Sequence, residues 1–361
     1  MNKTFTLLIL IVIFLMACGT AETPEVVEED VVVTNTDPAT LTLVTHDSFV
    51  ISETVIEEFQ SENNVTVAIV PAGDAGEMLN QAILANDSGA PLGDVIFGVD
   101  NTFMGRALDA DMLESYTSAN LGTVADEFKM DDGNYLTPIS YGEVCLNYDL
   151  AWFAENGLDA PSTLEDLADP AYTGLTVSMN PATSSPGLAF LLTTISAYGE
   201  DGYLGYWDEL VANDLLIVDG WSDAYWGHFT GASDGNRPIV VSYASSPPAE
   251  VFYSEGAYTE PPTAAVTTDG TCFRQVEFAG ILKGSEHVEL AGKFIDFMLS
   301  KSFQEDIPLN MFVFPANQTA ELPQLFVDFA TISDVPATLA PDLIDANRES
   351  WIETWSDSVL R

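Results

Sequence analysis

The apolar residues fall into short runs separated by polar turns, and the runs alternate between two periods. Residues 41–45 form a compact strand-like stretch, Leu-Thr-Leu-Val-Thr. From Ser52 the spacing changes: Val55, Ile56 and Phe59 share one face at helical intervals, with Glu53 in the opening turn. Residues 65–70 and 94–99 are two further strand-like runs, and Met78, Leu79, Ala82 and Ile83 predict a helix between them. Strand, helix, strand, helix, strand at this spacing predicts an α/β unit on a parallel sheet. The alternation resumes after about residue 140. Strands are expected at 144–148, 175–179, 215–218 and 239–242, and an apolar helix at 188–198. A run at 272–282 and a helix over 288–299 read as the first unit being completed. The pattern therefore predicts two α/β lobes joined by two crossings, near 138–142 and 268–276. Lobe 1 takes residues 41–138 and 271–361, and lobe 2 takes residues 139–270.

In open α/β sheets ligands bind beyond the carboxyl ends of the strands. Those ends here carry carboxylates (Asp47, Asp100), polar groups (Ser48, Asn101, Thr183, Ser184, Ser185, Ser245) and aromatics (Tyr141, Trp221, Tyr225, Tyr243), with no lysine or arginine. Taken singly, each has an ordinary structural explanation as a helix cap or a core residue. Together they suit a flat, cationic, hydrogen-bonding small molecule, since a cation gains about 0.5 to 2 kcal/mol over an aromatic face and needs a counter-charge once buried. The run Thr183-Ser184-Ser185-Pro186-Gly187 stands before a helix, where free N–H groups make either a plain cap or an anion seat.

The start of the chain differs from the body. Lys3 precedes an almost unbroken apolar run from Phe5 to Met16. That is too short for a good membrane span, which needs about 20 residues, and it predicts a signal peptide over 1–17. Leu15-Met16-Ala17-Cys18 resembles the lipobox of bacterial lipoproteins, which implies lipidation of Cys18 and an extracytoplasmic body anchored to the membrane. Residues 18–40 are acidic and low in complexity, so a disordered tether is expected there.

Charge and cysteine count sharpen this further. The chain has 56 acidic and 10 basic residues, a formal net charge of −46, which excludes nucleic acid as a partner and biases ligand choice toward cations. With Cys18 set aside, Cys145 and Cys272 form an even pair in an oxidising compartment, and a disulfide between them is expected. Two buried thiols are the alternative. No CxxC occurs and the three histidines, His46, His228 and His287, have no metal-ligand spacing, so neither metal nor cofactor is expected.

Several of these segments, taken in order, look like the thiamine-binding proteins of bacterial ABC importers. They are Thr45-His46-Asp47-Ser48-Phe49, Gly98-Val99-Asp100-Asn101, the stretch from Asn180 to Leu188, Gly220-Trp221-Ser222-Asp223-Ala224-Tyr225 and Ser242-Tyr243-Ala244-Ser245-Ser246-Pro247. Gln275-Val276-Glu277, Phe314-Pro315-Ala316-Asn317 and Trp351-Ile352-Glu353-Thr354-Trp355 extend the likeness over the whole body. The resemblance implies the two-lobed periplasmic-binding-protein fold of the second topological type. It implies thiamine or a thiamine phosphate as ligand, a membrane permease as partner and a single-chain receptor. It places Asp47, Asp100, Trp221, Tyr243 and the hydroxyls of Thr183, Ser184 and Ser185 in the pocket. Two departures stand out: Phe312 replaces a tryptophan usual in that family, and His46 replaces a tyrosine. A ferric-ion or polyamine receptor on the same fold is the nearest rival reading. A secreted hydrolase finds no support, because there is no G-x-S-x-G turn and the histidines fit no triad order.

Overall fold

A computed structural model of the protein describes residues 38–360. The expected signal peptide, the lipidation site Cys18 and nearly all of the acidic tether lie outside the described residues. Eleven strands build one mixed sheet: β1 Ala39–Thr45, β2 Val65–Pro71, β3 Val95–Asp100, β4 Leu113–Glu114, β5 Thr137–Asp149, β6 Thr176–Met179, β7 Leu216–Val218, β8 Ile239–Tyr243, β9 Thr263–Val266, β10 Phe273–Leu282 and β11 Phe314–Pro315. The first strand opens at Ala39, two residues before the expected lobe boundary at 41.

The strand order is β2-β1-β3-β10-β5-β8-β6-β7. Two parallel groups sit at its ends: β1 runs parallel to β2 and β3, and β6 runs parallel to β7 and β8. Between them β10 and β5 are antiparallel to each other and to their outer neighbours. The sheet is therefore continuous, and its middle consists of the two long strands that carry the expected crossings. At 13 and 10 residues, β5 and β10 are long enough to belong to both groups. The amino-terminal half of β5 pairs with β10 and with the short β11, while Val144–Tyr148 pairs with β8.

Helices cover the parallel groups as their apolar faces require. In the helix Glu53–Asn63, Val55, Ile56 and Phe59 are buried, and Phe59 packs edge-on against Phe294 of the helix Val288–Met298 at 4.9 Å. That contact ties the carboxyl-terminal part of the chain to the first group. The helix Ser185–Tyr198 is buried over most of its length. The carboxyl-terminal helix Pro341–Val359 inserts Trp355 against Trp207 of the helix Tyr203–Ala212, ring centres 5.2 Å apart. The Trp351–Trp355 motif is thus core packing. Cys145 in β5 and Cys272 just before β10 are joined by a disulfide, beside the Phe273–Val144 register pair. Among the described residues, no helix is long and apolar enough to cross a membrane.

Candidate functional site

The strand ends converge on one cleft with a cavity of about 240 Å³. β1 stops at Thr45 and delivers His46, Asp47 and Ser48. The turn after β2 delivers Asp74 at the start of the helix Ala75–Asp87. A short turn after β7 delivers Trp221 and Ser222, and the π-helical turn Ala224–His228 adds Tyr225 and Trp226. β8 delivers Tyr243, and the helix Pro247–Tyr253 adds Ala249 and Tyr253 one turn apart. Glu277 comes from β10, and Met311 and Phe312 from the loop before β11. Among the described residues the lining holds three carboxylates and one histidine but no lysine or arginine.

One side of the cleft is aromatic. Trp221 stacks on Tyr225 with ring centres 4.9 Å apart and planes 22° apart, and Trp226 meets Tyr225 edge-on at 4.9 Å. The platform is anchored at both ends. Trp221 Nε1 donates to Ser242 Oγ at 2.9 Å, and Ser242 is hydroxyl-paired with Ser246 at 3.0 Å. The Tyr225 hydroxyl donates to Glu250, whose other oxygen accepts from Thr263 at 3.0 Å. Burial pushes the Glu250 carboxyl up to about 7. Tyr253 and Phe312 lie 5.6 Å apart across the mouth. Phe312 is held at φ +53°, a left-handed conformation uncommon for an aromatic residue, and its carbonyl accepts from Ser245 Oγ at 2.7 Å. Strain of this kind persists where neighbours over-determine the backbone.

The other side is acidic. Glu277 Oε1 lies 3.4 Å from His46 Nε2, within ion-pair reach though not aligned as a hydrogen bond. Ser140 Oγ donates to Glu277 Oε2 at 2.6 Å. Burial alone would lower the pKa of His46 and raise that of Glu277; their mutual attraction outweighs it, so His46 moves up and Glu277 moves down. Asp74 Oδ1 accepts from the Ala75 N–H at 2.6 Å and Oδ2 from the Trp221 N–H at 2.9 Å. Burial raises the Asp74 carboxyl despite those two donors. The two sides also touch directly. Ser48 Oγ meets Ser222 Oγ at 3.0 Å, and the Gly76 N–H donates to the Thr183 carbonyl at 3.0 Å. Gly76 permits this approach: a Cβ there would stand 2.8 Å from the carbonyl oxygens of Ala182 and Thr183.

Of the residues expected from the sequence, Asp47, Ser48, Ser185, Trp221, Tyr225, Tyr243 and Phe312 line the cleft. Six others do not. Asp100 is fully buried behind it. Its Oδ1 accepts from the N–H and hydroxyl of Thr102 at 2.6 Å, its Oδ2 accepts from Gln275, and burial pushes it up to about 6. Asp100 reaches the cleft only through Gln275, whose amide donates to Ser185 Oγ at 2.5 Å and accepts from the Tyr243 hydroxyl. Asn101 satisfies the backbone of β10, accepting from Val276 N–H at 2.9 Å and donating to the Arg274 carbonyl. Tyr141 follows Ser140 in β5, so strand alternation turns it to the opposite face, where it stacks with Phe314 at 5.3 Å. Thr183 donates its hydroxyl to the Asp219 carbonyl at 2.6 Å, and Ser184 is buried at the helix start. Ser245 braces Phe312. The stretch read as either a helix cap or an anion seat therefore presents one of its three hydroxyls, Ser185, to the cleft. Among the described residues the one Glu–Cys–Cys cluster with metal-ligand proximity, Glu143, Cys145 and Cys272, is taken up by the disulfide.

Asp74, Trp226, Tyr253 and Glu277 also line the cleft and are not among the residues expected from the sequence, although a signal points to Asp74 and another to Glu277. Asp74 follows β2 just as Asp47 follows β1. Glu277 alternates with Gln275 along β10, so both face the cleft side.

The model of the bacterial extracellular solute-binding protein family matches residues 90–328. The chain belongs to that family. Its members bind solutes and are not enzymes, and the family and its relatives are extracytoplasmic. The chain is 29% identical over 332 residues to the thiamine-binding periplasmic protein of Escherichia coli strain K12, covering 89% of this chain and 94% of that one. It is 30% identical over 330 residues to the protein so named in Brucella suis biovar 1, covering 89% and 92%. A solved structure of a periplasmic thiamin binding protein superposes with a TM-score of 0.77 at 27% identity, covering 90% of this chain and 97% of that chain. Iron-bound HitA from Pseudomonas aeruginosa shares the fold, with a TM-score of 0.70 at 20% identity over 88% and 99%. The family's fold is the two-lobed type II arrangement implied by the sequence resemblance.

Proposed function

We propose that this solute-binding protein is the receptor of an ABC importer for thiamine or its phosphate ester. It would work as a monomer held to the membrane by a lipid on Cys18 and hand its ligand to a membrane permease. The observation that carries this reading is the pairing, in one cleft, of the Trp221–Tyr225 platform with Asp47, Asp74 and Glu277. Thiamine joins a permanently charged thiazolium to a flat aminopyrimidine. The thiazolium would lie against the platform, gaining about 0.5 to 2 kcal/mol from the ring face and more when desolvated. Three carboxylates without a neighbouring lysine or arginine supply the counter-charge that a buried cation requires. The names of the thiamine-binding relatives support the same ligand. Residues 41–138 with 271–361, and residues 139–270, would be the lobes that close on it.

Calorimetry with thiamine, thiamine monophosphate, putrescine and ferric citrate tests the proposal. One-to-one binding of a thiamine species, accompanied by a higher melting temperature, is expected. Heat from putrescine or ferric citrate alone would reassign the ligand.

A further inference from the structure

We infer that His46 couples ligand binding to proton release: the incoming cation takes Glu277 over from the protonated imidazole, which then gives its proton to the solvent. The inference rests on the proposed reading of the ligand as thiamine, and it concerns one of the two residues at which this chain departs from the resemblance noted in its sequence.

The geometry sets up a competition for one carboxylate. Among the described residues His46 is the sole basic side chain lining the cleft, and it is buried there. The groups facing it are acidic or apolar. Glu277 reaches it from β10 at 3.4 Å, Asp74 from the turn after β2, and Asp47 from its own loop. β3 offers only the Phe97 ring at 5.8 Å and Gly98. Gly98 stands at φ +106°, and a Cβ there would lie 2.4 Å from His46 Cδ2, so the chain keeps that space free for the imidazole. Without ligand, protonated His46 is therefore the cation that these carboxylates hold.

A thiazolium entering the same space places a second positive charge beside a buried first one. The arriving cation is permanently charged, whereas the imidazole can lose its proton. The step breaks one N–H bond of His46, leaves its electron pair on the ring nitrogen and passes the proton to water or buffer. Glu277 keeps its Ser140 hydrogen bond and turns from imidazolium to ligand as counter-ion. Affinity for a fixed cation then rises with pH until His46 is neutral in the free protein, by at most about tenfold per pH unit, because one proton is linked.

Two measurements on the whole protein test this. Thiamine is titrated calorimetrically in phosphate and in Tris, whose ionisation heats differ. The wild type should give different heats in the two buffers at the same pH and bind more tightly at pH 8 than at pH 6. His46→Gln should lose the imidazole's share of that difference. In parallel, the imidazole signals are followed by NMR, with His228 and His287 as internal references among the three histidines. The titration of His46 should move to lower pH when thiamine is added. Equal heats for the wild type, or a His46 titration unmoved by bound thiamine, overturn the inference while leaving thiamine binding intact. No heat in either buffer at any pH sinks the thiamine reading and this inference with it. Should His46→Gln fail to fold, the two wild-type measurements decide.

Discussion

At the scale of single residues, the site separates groups that touch the cavity from groups that hold them in place. Trp221 is half-buried and packs on Tyr225, so Trp221→Ala removes the platform's ligand face while its partner stays in the core. A loss of thiamine affinity of at least tenfold is expected by calorimetry, with the far-ultraviolet dichroism unchanged. A structural role would show instead as lost stability. Glu250 offers a different readout. Its folded pKa, about 7, lies above the ordinary carboxylate value, so the folded state holds this proton over a pH range where the unfolded chain has already released it. The resulting stability is present in full below about pH 4.5 and is lost as pH rises through about 7. Urea unfolding should show the wild type losing stability relative to Glu250→Gln across that window. A pH-independent difference would contradict the assignment. The sequence made the residue types of the cleft legible, but not which of two neighbouring residues faces it. Tyr141 and Ser140 differ by one step of strand alternation, and Asp100 looked like a ligand group because its burial depends on Gln275, 175 residues later in the chain.

At the scale of elements, the parallel groups could be read from period and spacing because each strand and its helix are neighbours in sequence. Their observed spans differ from expectation by a few residues. Of the two long central strands, β10 was legible and β5 only in part. The run at 272–282 matches β10, whereas residues 144–148 look like a short strand because their apolar character is local. The extra length of β5 comes from pairing with β10, more than 100 residues away. The disulfide sits at this junction and closes a loop with a sequence separation of 127. In a chain-entropy model such a cross-link is worth about 5 kcal/mol, whereas typical bridges deliver about 2–4 kcal/mol. Reduction, or Cys145→Ser with Cys272→Ser, should therefore lower the melting temperature by several degrees without abolishing the fold. An unchanged melting curve would mean that the sheet alone holds the junction.

At the scale of the whole molecule, a net charge of −46 acts on everything at once. Self-repulsion destabilises a compact state, and salt screens it over roughly 8–10 Å at 0.1 to 0.15 M. The melting temperature of the free protein should thus rise with sodium chloride, while the affinity for a cationic ligand should fall. Ligand itself stabilises by mass action, by about 2.7 kcal/mol at 100 times its Kd. The central claim is that a thiamine cation occupies the cleft between the Trp221–Tyr225 platform and the carboxylates of Asp47, Asp74 and Glu277. A crystal structure of the protein with thiamine tests it most directly. The account predicts the thiazolium against Trp221, with at least one of the three carboxylates within ion-pair reach. Thiamine bound away from this cleft, or a cleft without ligand at saturating thiamine, would contradict it.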